Sequence, residues 1–261
     1  MRTRLRGWFR GALGAGLALC GACASTDYPD LNLYSVDQDK AMGSRAYEEL
    51  LAQSATLASG PEVETVERVT ERLVASALEL DHALAPRFDW QVTVLDAPDV
   101  VNAFCLPGGK MAVHSGMLPV AESDAGLAVV MAHEISHALL RHGTQRASRE
   151  TAAAGLIAIF TDEPEEAQRA GVLGSLLLMM PWGRTEESEA DLLGLRIMAN
   201  AGYDPREAVR FWGRMAAGGG GAAGRLGEFF STHPSERTRI ADIRRALEEV
   251  LPLYEAARAA P

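Results

Sequence analysis

The feature that most constrains this chain is HEISH, residues 133–137, inside an uninterrupted apolar stretch. No proline or glycine interrupts residues 127–142, and the apolar residues there lack strand-like alternation, so the sequence predicts a helix. On a helix, His133 and His137 lie on one face, one turn apart. Two imidazoles at this spacing, with Glu134 beside the first, can hold a metal next to a general base. The fold must then bury this helix.

His142 is the third histidine of this stretch and lies nine residues after His133. In a straight helix this spacing is half a turn. We therefore expect His142 to face away from His133 and His137, as a surface residue or one behind the ligands. The other interpretation of the stretch is a coincidental pair of buried histidines. The spacing of His133 and His137 and the expected burial of their helix favour a metal site. The third ligand must come from elsewhere.

RTEESEADLLG, residues 184–194, supplies that candidate. The helix dipole favours acidic residues where a helix begins, which accounts for some of these glutamates. Glu187 and Asp191 are one turn apart, and their face continues into Leu195 and Met198, so both acids should point inward. A buried carboxylate needs a charge partner, and zinc would provide one for Glu187. Asp191 could accept the other ring N–H of a ligating histidine.

The rest of the chain predicts an α+β fold that is mainly helical. Residues 88–96 alternate as a half-buried strand does, and residues 102–116 read as two short strands around a turn, giving one small sheet of about three strands. The predicted helices are 37–57, 61–84, 124–142, 145–160, 166–180, 185–201, 204–216 and 235–257.

Two apolar segments, 151–160 and 171–181, allow two interpretations. Each has only about ten residues between helix breakers, which is too short to span a bilayer. A helical hairpin packed on the core is favoured, and docking on a lipid surface is the alternative.

The first residues resemble an export signal, because four arginines precede a short apolar segment. CGAC, ending at Cys23, resembles a bacterial lipobox and would place a lipid on Cys23. ACA before Ser25 instead suits cleavage by a plain signal peptidase. The lipoprotein interpretation is favoured, with a signal peptide at 1–22, a polar tether at 23–36 and the folded domain at 37–257. The net charge of −10 leaves no basic stripe for a nucleic acid.

HEISH followed by ESEAD resembles the HtpX/BepA-type zinc metalloendopeptidases, gluzincins related to the CAAX prenyl proteases. Three further segments fit the same family: NAFCLPGG (102–109), HSGML (114–118) and STHPSERTRI (231–240). The resemblance covers roughly residues 37–250 and implies a zincin-like metalloprotease domain.

The resemblance also assigns roles to residues. It implies one zinc ion per chain, with His133, His137 and Glu187 as ligands. Glu134 would be the general base, and Asp191 the partner of a ligating histidine.

Less specific parts of the family pattern assign further residues. The strand at Asn102–Gly109 would form the edge of the cleft, where an extended peptide adds as a further strand. His233 would approach the zinc or the oxyanion, assisted by Arg239. The alternative is that Pro234 fixes His233 as an ordinary turn residue. The substrate-binding residues would be Asn102, Ala103, Phe104, Gly108 and Gly109.

The resemblance implies a zinc endopeptidase of the bacterial cell envelope, on the periplasmic side and anchored to the outer membrane by lipid on Cys23. Its substrates would be unfolded or misassembled envelope proteins. The alternative is a chaperone or assembly factor that works with the outer-membrane assembly machinery and has a latent protease site. Structural zinc is disfavoured, since such sites are closed by four protein ligands, often cysteines.

Overall fold

A computed structural model describes residues 31–160, 181–217, 227–233 and 238–259 of the chain. The predicted signal peptide with Cys23, most of the tether and nearly all of the apolar segment 171–181 lie outside the described residues. The hairpin prediction therefore stays a prediction. Within the described residues, no helix combines the length and apolar character needed to cross a membrane.

The predicted α+β fold, mainly helical with one small sheet, is confirmed. The described helices are α1 Val36–Gln53, α2 Pro61–Leu80, α3 Leu118–Ala121, α4 Asp124–Leu139, α5 His142–Phe160, α6 Arg184–Asn200, α7 Glu207–Ala216, α8 Gly227–Thr232 and α9 Arg239–Ala259. The strands are β1 Thr56–Leu57, β2 Gln91–Leu95, β3 Ala103–Cys105 and β4 Lys110–His114.

The sheet has the strand order β1-β2-β4-β3, one strand more than predicted. β2 and β4 are parallel, whereas β1 and β3 pair antiparallel with their neighbours. The extra strand lies where a helix was predicted to continue to residue 57. That helix ends at Gln53 because Ser54 is extended, and Thr56 then pairs with Leu95. The pairing outweighs the helical spacing that predicted the longer helix.

α4 passes through the centre of the hydrophobic core. The Ser123 side chain caps it by accepting a hydrogen bond from the Gly126 amide, and every residue from Gly126 to Leu139 is buried. α6 crosses α4 closely, because Gly194 leaves room for the α4 backbone. A Cβ atom at Gly194 would lie 3.1 Å from the amide nitrogen of His133. The crossing places the acidic first turns of α6 beside the α4 histidines.

The single helix predicted over 124–142 is wrong, because the chain turns sharply after Leu139. Arg141 has a φ of +58°, in the left-handed region, and α5 begins at His142. The Arg141 side chain is held there by the buried Asp39, with Nε donating to Oδ2 at 2.6 Å. This turn decides where His142 points.

Candidate metal centre and substrate cleft

Four buried side chains from three segments bring donor atoms together. α4 contributes His133 and His137, α6 contributes Glu187, and His233 follows α8 directly. One donor atom of each lies within 4.8 Å of the other three. The structure thus groups the three predicted ligands and adds His233 to them.

The donor spacings suit a tetrahedral zinc shell. Nε2 of His133 lies 3.1 Å from Nε2 of His137 and 3.3 Å from Nδ1 of His233. Oε1 of Glu187 lies 2.8 Å from Nδ1 of His233, 3.4 Å from Nε2 of His137 and 3.7 Å from Nε2 of His133. Zinc bonds of ordinary length at tetrahedral angles separate neighbouring donors by about 3.4 Å. The residues present therefore fit the ion.

The electrostatics of the cluster attract positive charge. Burial would raise the pKa of Glu187, but the neighbouring histidines lower it well below its ordinary value. Burial lowers the pKa of His133, yet the charge of Glu187 and the hydrogen bond to Asp191 raise it to about 9. Burial lowers the pKa of His137 well below its ordinary value. Glu187 ionised and His137 neutral are the protonation states that zinc ligands require, and the raised pKa of His133 reflects the negative charge that a cation would meet there.

Asp191 and Arg239 lie behind the ligands and join them. Oδ1 of Asp191 is 3.0 Å from Nδ1 of His133, as expected for the partner of a ligating histidine. Arg239 donates to both Asp191 oxygens, at 2.7 Å each, and to Oε2 of Glu187 at 2.7 Å. Its guanidinium also lies over the Trp212 ring, 3.5 Å from the centroid. Arg239 therefore holds the two carboxylates in place, and its predicted assistance to His233 stays a prediction.

The prediction that His142 faces away from His133 and His137 is wrong, whereas the expected alternative to a surface position, behind the ligands, agrees with the structure. His142 is 1% exposed, and its Nδ1 lies 2.8 Å from Nδ1 of His137. The assumption of a straight helix caused the error, because the turn at Arg141 swings His142 back toward α4. Burial lowers the pKa of His142 to about 4, so the ring is neutral at ordinary pH.

Trp182 and Arg146 are residues that sequence reasoning missed. The Trp182 ring stacks on His137, with centroids 4.6 Å apart and planes at 20°. The Arg146 guanidinium lies over the Trp182 ring, 3.8 Å from its centroid. Trp182 lies two residues before the beginning of α6, and no spacing in the sequence predicts that it lies beside HEISH.

Glu134 is buried and faces the donor cluster. Burial raises its pKa, while the positive charges of His233 and His133 lower it. The carboxylate accepts a hydrogen bond from the Cys105 backbone. Within the described residues its Oε1 has no hydrogen-bond partner of good geometry, although Nε2 of His233 is 3.2 Å away. An unsatisfied buried oxygen beside a metal site is suited to taking a proton from water.

A partly open cleft runs past these groups. Its residues come from the β3 segment, α4, the turn after α4, and the segments around Trp182 and His233: Asn102, Ala103, Phe104, Cys105, Leu106, Pro107, Glu134, His137, Ala138, Arg141, Gly143, Trp182, Thr232 and His233. Among the described residues β3 is an outer strand of the sheet. Asn102, Ala103 and Phe104 thus line the cleft, and their predicted role in substrate binding stays a prediction.

Gly108 and Gly109 lie elsewhere, in the turn between β3 and β4. Their φ values are +83° and +99°, which glycine adopts readily. A Cβ at Gly108 would meet Lys40, and one at Gly109 would meet Trp90. Neither glycine is among the residues that line the cleft in the described part of the chain, and the prediction that they bind substrate stays a prediction.

Comparison with known sequences adds to this geometry. The sequence pattern of peptidase family M48 matches residues 62–247. The chain is 35% identical over 228 residues to the mitochondrial metalloendopeptidase OMA1 of Schizosaccharomyces pombe, covering 85% of this chain and 63% of that protein. It is 34% identical over 201 residues to the OMA1 of Saccharomyces cerevisiae, covering 73% and 57%.

A bacterial relative is also similar. The beta-barrel assembly-enhancing protease of Escherichia coli is 31% identical over 166 residues, covering 59% of this chain and 34% of that protein. The chain thus spans between about one third and two thirds of the length of these relatives.

Proposed function

This chain belongs to peptidase family M48, and we propose that it is a zinc-dependent endopeptidase with His133, His137 and Glu187 as metal ligands. The cluster of four buried donors beside Glu134 is the observation that supports this proposal. Two imidazoles, a carboxylate and a neighbouring general base are the donor set expected for such an enzyme.

The proposed reaction assigns separate roles to the metal site, to Glu134 and to β3. Zinc in this position would supply a Lewis acid and lower the pKa of water. Glu134 would take the proton of the attacking water and pass it to the leaving amine, for which its raised pKa is suited. β3 would hold the substrate in an extended form alongside Glu134.

His233 supports the further proposal that the described conformation is latent. A catalytic zinc site leaves one position open, whereas four protein donors close the shell. Since His233 is the fourth donor here, its ring must withdraw before substrate can enter, and it would then be free to stabilise the oxyanion. A purely structural zinc is less well supported, because the cleft and the buried Glu134 would then serve no purpose.

We further propose a place in the bacterial cell envelope, with residues 1–22 as signal peptide, 23–36 as tether and a lipid on Cys23. The arginines and apolar segment at the beginning of the sequence support export. Some relatives are named beta-barrel assembly-enhancing proteases, which supports envelope proteins as substrates. The same names support the alternative of an assembly factor for outer-membrane components.

Glu134→Gln tests the enzyme proposal. The variant should retain zinc, measured by elemental analysis, and lose cleavage of casein, an unfolded substrate. Glu67→Gln, on an exposed position of α2, is the matched control and should behave as the native chain does. Retained cleavage by Glu134→Gln would overturn the assignment of the general base. Complementation of a deletion strain by the same variant would favour the assembly role.

A further inference from the structure

His142 and Glu189 form a second line of contacts behind the proposed metal centre. Nδ1 of His142 lies 2.8 Å from Nδ1 of His137, and Nε2 of His142 lies 3.2 Å from Oε2 of Glu189. Two side chains thus connect a candidate ligand to the half-exposed carboxylate of Glu189.

The protons of this chain of contacts can be placed by elimination. When Nε2 of His137 binds a metal, its Nδ1 must carry the ring proton and donate it. The nitrogen that faces it is Nδ1 of His142, which as part of a neutral ring can accept only if the proton of His142 is on Nε2. That Nε2–H then points at Glu189, which accepts it. All three groups have a consistent donor and acceptor.

We propose that His142 is a positioning residue of the metal centre, accepting the Nδ1–H of His137 and held by Glu189 so that Nε2 of His137 faces the ion. The inference rests on the proposed zinc site. A ligating histidine commonly donates to a carboxylate or a backbone carbonyl, as His133 does to Asp191. Here a second histidine takes that place and passes the contact on to a carboxylate.

The packing around His137 does not by itself fix the orientation of its ring, so the hydrogen bond to His142 decides that orientation. Trp182 stacks on one face of the ring and fixes its plane. A 180° flip about the Cβ–Cγ bond would keep that plane, and the hydrogen bond to His142 selects the flip state in which Nδ1 faces His142 and Nε2 faces Glu187. The turn at Arg141, with its positive φ, is what places His142 close enough to act.

Two substitutions of similar size separate the hydrogen bond from packing. His142→Asn keeps an acceptor oxygen at the position of Nδ1, whereas His142→Leu removes it. Zinc affinity is measured by competition with a chromophoric chelator on the full chain. We expect His142→Leu to bind zinc 10–100-fold more weakly, in the range found when such outer contacts are lost, and His142→Asn to recover most of that loss.

The tautomers of the native zinc-loaded protein give an independent readout. Long-range ¹H–¹⁵N spectra of ¹⁵N-histidine-labelled protein should show His142 with its proton on Nε2 and His137 with its proton on Nδ1. The opposite tautomer of His142 would overturn the proposal, even if His142→Leu failed to fold. Equal zinc affinity of His142→Leu and the native chain would also overturn it. Absence of zinc binding by the native chain would instead refute the proposed function.

Discussion

At the scale of single residues, the centre is a set of buried acids that a bound cation would help to balance. Glu187 and Asp191 share the single guanidinium of Arg239, and the histidines supply the remaining contacts. Buried carboxylates are costly unless they are paired and hydrogen-bonded. Glu187 and Asp191 therefore lie where a bound metal would offset their negative charge.

Glu187→Ala is expected to abolish stoichiometric zinc binding. It removes the only carboxylate of the four donors and leaves Arg239 still paired with Asp191. Elemental analysis of the purified variant measures the outcome, and Glu248→Ala, at an exposed position of α9, is the control. Full zinc occupancy in Glu187→Ala would show that the third ligand is another residue.

The residues of the site divide into those that spacing predicts and those that it does not. His133, His137, Glu187 and Asp191 are found together because each pair lies one turn apart on a regular helix, and regular helices are what periodicity describes. The position of His142 was not predicted, because Arg141 adopts a left-handed backbone conformation that a regular helix does not contain.

At the scale of elements, the crossing of α4 and α6 builds the centre. Gly194 stands at the crossing, where a Cβ would lie 3.1 Å from the amide nitrogen of His133 and 3.2 Å from its Cα. Both contacts are to backbone, which cannot rotate away as a side chain can. The glycine is required for close approach and not for its dihedral freedom.

Gly194→Ala should therefore destabilise the protein by about 1–3 kcal/mol, the usual cost of overpacking, and weaken zinc binding by displacing α6. Gly213→Ala is the matched control, since it is also helical and a Cβ there meets nothing within 4 Å. That change should be neutral or stabilise by up to about 1 kcal/mol. Urea denaturation of both variants measures the difference, and equal stabilities would contradict the role of the crossing.

The beginning of α6 should make stability depend on pH. Burial would raise the pKa of Glu186, but hydrogen bonds from the Gly183 amide and Arg149 lower it. A lowered pKa in the folded state means that this stabilisation is complete above 4.5 and is lost as the pH falls through the lowered value. Glu186→Gln should thus lose about 1 kcal/mol at pH 7 and approach the native chain at low pH. A constant difference from pH 7 to pH 3, measured by chemical denaturation, would contradict this.

The elements themselves were largely predictable, and their ends were not. α2 and α6 follow apolar spacing, and their residues are buried where the spacing predicts. The sequence did not predict β1, because two residues are too few to show an alternating pattern. They form a strand only by pairing with β2. Long-range pairing is the information that a local pattern lacks.

At the scale of the whole molecule, the sheet brings an outer strand to the metal centre. Asn102 accepts from the His114 amide, and the Leu106 amide donates to Lys110, so these residues direct their backbone groups toward β4. The residues between, Ala103 and Cys105, direct their backbone N–H and C=O groups to the opposite side, toward the cleft. Their amides are already engaged, by the Asn102 side chain and by Glu134. The cleft therefore presents two carbonyl acceptors, and a substrate must bring the donors.

Peptide substrates should accordingly depend on two amide N–H groups that are two residues apart. N-methylation of either one removes a donor to Ala103 or Cys105, and each lost hydrogen bond should lower kcat/KM about tenfold. N-methylation of the amide between them is the control, because in an extended peptide that N–H points away from β3. Scanning single N-methyl groups along a cleaved peptide measures the pattern. Equal loss at all three positions would show that the substrate does not bind as a strand beside β3, and a loss that alternates would show that it does.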